Sequence, residues 1–146
     1  MPKATFYTHV HNPAAFACRL AARAVQSGSR VLVWAEDPAA VARLDADLWR
    51  FEAESFLPHE IWQPSHTPPN DTPLLLAADN ILPEIGADWV VLNLSPDFWN
   101  RAPTPPARVL EIVSDNLEDL AEARERFKAY KQQGFDIEHH NMQGKA

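Results

Sequence analysis

Four groups of residues have the types and spacing to do chemistry. Arg124, Phe127 and Lys128 stand at i, i+3 and i+4, which on a helix gathers a guanidinium, an aromatic ring and an ammonium into one patch. Arginine can grip a carboxylate through two parallel hydrogen bonds, so this patch suits a short acidic peptide with an aromatic or carboxylate end. His9-x-His11 and His139-His140 could each supply two metal ligands. Neither pair has a cysteine cluster or a correctly spaced carboxylate beside it, and exposed polar residues are the simpler reading. Glu36 and Asp37 follow a short apolar run, where an acid could hold a ribose. Asp37 followed by Pro38 is equally a helix cap with proline in the first turn. No serine lies in a nucleophile-elbow glycine pattern, and Cys18, amid Ala and Leu on a helical stretch, reads as core. Nothing in the chain asks to be called catalytic, and no metal or cofactor is expected.

The Arg-Phe-Lys patch lies on a stretch, Asp115 to Phe135, with helix signals at both ends. Asp115 with Glu118 three residues on follows capping-box logic, and Gly134 supplies the left-handed turn past the end. Leu117, Leu120, Ala121 and Phe127 are spaced for one apolar face. Acids fill its first half and bases its second, with Arg124, Arg126, Lys128 and Lys131 against Glu125 alone. The helix dipole explains most of that asymmetry.

Upstream, Ala4–His9 reads as a first strand. Asn12-Pro13 opens a helix over Ala14–Ser27, Arg30–Ala35 is a short buried strand, and Asp37-Pro38 starts a second helix to about Trp49. Ten of the 13 prolines fall between Pro58 and Pro106, punctuating the middle into short strands and loops. Pro73–Ala78, Trp89–Leu94 and Arg108–Val113 read as further strands. This alternation predicts an open α/β sheet, mainly parallel, in one domain over residues 1–135. Residues 136–146 read as a polar, frayed tail.

The whole-chain quantities exclude several classes. With 146 residues the chain can bury a core without staples, and its one cysteine excludes an internal disulfide. No apolar signal core opens it and no apolar run approaches a membrane span, so a soluble, cytoplasmic protein is expected, away from membranes. The net charge of −7 disfavours direct nucleic-acid binding, which draws on many cation–phosphate contacts. Four glycines, none in the first strand–helix turn His9-Val10-His11-Asn12-Pro13, exclude a dinucleotide fingerprint or phosphate loop.

The blocks ATFY, RVLVWAED, ARLDADLW, ESFLPH and ARERFKAYKQQGF, in that order along nearly the whole chain, resemble the chi subunit family of the bacterial DNA polymerase III holoenzyme. The resemblance implies a three-layer α/β/α fold with a five-stranded parallel sheet lacking the nucleotide turn. It also implies a non-enzymatic accessory subunit associated with the clamp loader. Family members bind the acidic C-terminal tail of single-stranded DNA-binding protein, which ends in proline-phenylalanine with a free carboxylate. Carried over by ungapped matching, the tail-binding positions are Val113, Leu120, Arg124, Phe127 and Lys128. Phe127 stands where the family has tyrosine and Leu120 where it often has lysine. The same resemblance implies contact with psi, the small subunit joining chi to the clamp loader, through the block holding Phe56 and Pro58 and through Trp49. A helicase-type partner could use that surface instead. The rival expectation, from the residues alone, is a small nucleotide-binding α/β domain or enzyme using Glu36 and Asp37.

Overall fold

In the computed structural model, residues 2–50, 59–62, 72–78, 89–94 and 108–144 are described. Lys3–Val10 form β1, and Asn12 then caps helix α1 (Pro13–Gln26) by accepting a hydrogen bond from the Ala15 N–H at 3.2 Å. Next come β2 (Val31–Trp34) and α2 (Pro38–Arg50), capped by Asp37, whose Oδ1 accepts from the Ala40 N–H at 2.8 Å. Then follow β3 (His59–Ile61), β4 (Leu74–Ala77), β5 (Val90–Asn93), β6 (Arg108–Ser114), α3 (Leu117–Gln132) and β7 (Asp136–Asn141). The strands join in the order β3-β4-β2-β5-β6-β1-β7, and every pairing is parallel.

Strand alternation divides the core into two faces. Val31, Val33, Leu74, Leu76, Val90, Leu92, Leu110 and Ile112 pack with buried residues of α1 and α2. Leu32, Leu75, Val91, Val109, Val113, Ala4 and Phe6 pack with Ala123 and Tyr130 of α3. Helices on both faces of a parallel sheet make the fold three-layer α/β/α, as the alternation of elements predicts.

Two corrections concern the sheet. It has seven strands rather than five. β3 is a three-residue strand, His-Glu-Ile, too short and polar to carry a periodic signal. β7 occupies the stretch expected to fray: Asp136–Asn141 pair in register with β1, from Lys3 opposite Asp136 to Thr8 opposite Asn141. Both added strands lie at the sheet edges, where polar and charged residues are the normal device against unwanted pairing. An ion pair, Lys3 Nζ to Glu138 Oε2 at 2.9 Å, further ties β7 to β1.

A third correction concerns α3. Its cap is Asn116, whose Oδ1 accepts from the N–H groups of Glu118 (2.8 Å) and Asp119 (3.3 Å), and not Asp115. At the other end Gly134 takes φ +84° and the Phe135 N–H returns to the Tyr130 carbonyl at 3.0 Å, closing the helix as its glycine predicts. The buried face is Ala123, Arg126 and Tyr130, with Leu120 half-buried. Leu117, expected on that face, is 83% exposed, and Ala121 is exposed too. The helix is turned this way by a buried polar cluster. Fully buried Glu111 on β6 accepts from Arg126 Nε (3.0 Å), from the Tyr130 hydroxyl (2.6 Å) and, through both oxygens, from Asn93 Nδ2 at 3.0 Å. Burial pushes the Glu111 carboxyl above its ordinary value, against the pull of the Arg126 guanidinium and the donated hydrogen bonds. Burial, reinforced by that carboxylate, pushes the Tyr130 phenol well above its own.

Candidate functional site

The rotation of α3 decides which of its side chains remain available. Arg126 is spent on Glu111, whereas Arg124, two residues earlier, is exposed and among the described residues has no hydrogen-bond or ion-pair partner. Phe127 lies between these orientations at 36% exposure, its ring 5.5 Å from that of Phe6 on β1. Between α3 and the β1–β7 edge opens a hollow of about 520 Å³, lined on the helix side by Leu117, Leu120, Ala123, Arg124 and Phe127. Its opposite wall is Phe6, Thr8, His9 and His139. A cavity of this size, whose described lining is mostly apolar and includes the Arg124 guanidinium, has the form of a small-ligand or peptide-end pocket.

Of the expected tail-binding residues, Leu120, Arg124 and Phe127 therefore share one hollow. Lys128 does not line it; it stands one turn beyond Arg124, exposed, with its Nζ 3.5 Å from Glu125. Val113 does not line this hollow: it is 2% exposed, buried under α3, and borders a different hollow of about 290 Å³. Strand parity explains this, since Val113 shares the face of Glu111 and Val109, which the helix covers.

The β1–β7 wall was not legible as part of the site. Phe6 lies directly opposite His139 in the parallel register, so the two histidine pairs of the sequence, far apart in the chain, each contribute one member to a single wall. His9 Nδ1 lies 3.2 Å from Thr8 Oγ1, which lies 2.7 Å from His139 Nε2. His9 has φ +58° at a register shift between Tyr7 and Val10. Thr8 keeps the α3 side of Phe6, and the bulge after it reverses the alternation so that Val10 packs on the α1 side. No group of three or more potential metal ligands occurs among the described residues.

Trp49 is 56% exposed, its ring 4.6 Å from that of His59. Phe56 and Pro58 lie outside the described residues. Glu36, the acid of the nucleotide reading, borders the smaller hollow with Glu118, Asp119 and Glu122, whose carboxylates would repel a phosphate, while the lining Arg126 pairs with Glu111 and the Ser114 hydroxyl donates to Asp119. Asn12 and Pro13 occupy the start of α1, where a phosphate turn would open.

These features define a parallel α/β protein of the nucleotide-fold type that has lost its phosphate turn and carries a cationic, aromatic hollow on its closing helix. The family model for "DNA polymerase III chi subunit, HolC" matches residues 1–138. The chain is similar to DNA polymerase III subunit chi of Escherichia coli K12, with 35% identity over 82% of this chain and 79% of that one. It is similar as well to DNA polymerase III subunit chi of Pseudomonas aeruginosa, at 29% over 86% and 84%, and of Haemophilus influenzae, at 26% over 86% and 85%. The chain belongs to the DNA polymerase III chi subunit family, whose members are non-catalytic accessory subunits in DNA replication. As a holoenzyme subunit it has protein partners. Among the described residues no helix is long and apolar enough to cross a membrane.

Proposed function

We propose that this chi subunit works in the cytoplasm as a tether, binding the acidic C-terminal tail of single-stranded DNA-binding protein and so linking the clamp loader to coated template. The observation that carries this reading is the free Arg124 guanidinium on the rim of an open, aromatic-lined hollow. The tail's terminal carboxylate pairs with Arg124, and its phenylalanine enters between Phe6, Leu120 and Phe127. Lys128, one turn on, attracts the aspartates that precede them, a contribution screened by salt. Each tail is held weakly, and several tails on one coated strand turn that into an effective grip.

Arg124→Ala weakens binding of the free-acid peptide Asp-Asp-Ile-Pro-Phe by about tenfold, on the order of 1.5 kcal/mol for a charge-assisted hydrogen-bonded pair. Calorimetric titration of the wild type and the variant checks this, and equal affinities would remove Arg124 from the site. Exposed Trp49, together with the sequence block that holds Phe56 and Pro58, is proposed for psi or another clamp-loader contact, with a helicase as the competing partner.

A further inference from the structure

The Thr8–His9–His139 chain is built in a way the tail-binding reading does not require. Thr8 is 8% exposed, and its hydroxyl bridges two imidazoles, 2.7 Å from His139 and 3.2 Å from His9. A hydroxyl can donate to one ring and accept from the other, so the two rings share one hydrogen-bonded chain. His9 is brought to it by a left-handed backbone conformation that a non-glycine residue adopts only at some cost. Strand alternation keeps the neighbours apart. His139 has the parity of Ile137, which packs on the α3 side, while Glu138 and His140 point the other way, His140 stacking on Tyr7.

Among the described residues, the charged and titratable groups around this wall are few. From α3 only Arg124 lines the hollow, with uncharged Leu117, Leu120, Ala123 and Phe127; from β1 come Phe6, Thr8 and His9, and from β7 His139. Behind His9 a neighbouring hollow of about 430 Å³ holds His11, Asp115, Gln143 and Gly144. The hollow that receives an acidic ligand therefore has a fixed cation on one wall and two imidazoles on the other.

We propose that Thr8, His9 and His139 form a second acid-reading wall facing Arg124, so that the hollow holds two anionic groups of one ligand and grips it more tightly as the imidazoles protonate. This rests on the tail-binding reading and names the residues that take the carboxylate next to the terminal one. Histidine is the side chain whose ordinary titration falls between about pH 5 and 8, whereas the ligand's carboxylates stay ionised throughout that range. A protonated imidazole at each of one or two carboxylate contacts corresponds to a gain of roughly three- to tenfold in affinity.

The test titrates the full chain with the free-acid peptide Asp-Asp-Ile-Pro-Phe at about pH 6 and about pH 8. The wild type is expected to bind roughly three- to tenfold more tightly at the lower pH. The double variant His9→Asn, His139→Gln is expected to lose that ratio. Asparagine tolerates the left-handed backbone of residue 9, and glutamine can still reach the Thr8 hydroxyl. In the wild type, independent of any variant's folding, the His9 and His139 ring resonances should shift on peptide addition at about pH 6. Equal wild-type affinities at the two pH values, a ratio retained in the double variant, or rings that stay still while the Phe127 ring moves would overturn the proposal. Arg124→Ala separates the two readings. If it weakens binding at both pH values and the wild type shows no ratio, tail binding stands and this wall falls; a wild type that binds the peptide at neither pH overturns both.

Discussion

Arg124 and Arg126 are the same residue type two positions apart, and the fold assigns them opposite consequences. Arg126 is 6% exposed and pairs with Glu111, which is fully buried. Replacing it with methionine keeps the aliphatic stem and removes the charge, leaving Glu111 ionised in the interior or forcing it to take up a proton. Breaking one side of a buried pair costs about 3–5 kcal/mol, a large part of a domain's total stability. For a domain of this size that corresponds to a fall in Tm of roughly 6–20 °C. The pH dependence has a definite sign. Glu111 is already pushed upward by burial, and Arg126 is the largest influence opposing that push. In Arg126→Met the folded state therefore binds more protons than the unfolded state above the ordinary carboxyl range, so the variant loses stability as pH rises through that window. Its deficit relative to wild type is smaller at about pH 5 than at about pH 8. Glu111→Gln alone removes the carboxylate charge that faces the guanidinium, whereas the double variant removes both charges and keeps an acceptor for Tyr130 and Asn93. Urea unfolding of all four proteins completes a cycle in which the double variant is less destabilised than the sum of the singles by about 1–3 kcal/mol. Additive effects, or an Arg126→Met protein as stable as wild type, would refute the assignment of this pair as the clamp that orients α3.

Two further outcomes follow from the local geometry. Asn116→Ala removes the cap of α3 and costs about 1 kcal/mol in urea unfolding, while Asp115→Ala, outside the cap, changes stability by less than about 0.5 kcal/mol; the reverse order would restore Asp115 as the cap. Cys18 is buried, and desolvation, with Asp47 nearby, pushes its thiol up to about 11. It should thus react with a disulfide reagent at neutral pH only as fast as the protein opens, and rapid stoichiometric reaction of the native protein would contradict that burial.

The fold was legible where local chemistry and burial agree. Asn12-Pro13 and Asp37-Pro38 announce helix starts that the structure places as expected, and the Leu- and Val-rich runs of β2, β4 and β5 are strands because both faces are covered. The misses at β7 and Arg126 share one cause, which is that polar residues were read as taking no part in the fold. β7 pairs through its backbone while exposing nearly every side chain, so its sequence carries no inward stripe. Arg126 counted as one more base near the end of α3, yet it is buried because Glu111 lies one strand away, a pairing that no local spacing reveals. The same blindness hid half of the candidate site. Arg124, Leu120 and Phe127 announce themselves by helical spacing, whereas His9 and His139 meet only through the parallel register of β1 with β7. Val113 carries no such spacing signal, and its strand parity places it under the helix.

The most direct measurement compares two forms of one ligand on the wild-type protein: Asp-Asp-Ile-Pro-Phe with a free terminal carboxylate, and the same peptide amidated. Docking of a terminal carboxylate on the free guanidinium of Arg124 predicts that the free acid binds at least about tenfold more tightly. Equal affinity for the two, or no binding of either, would contradict it.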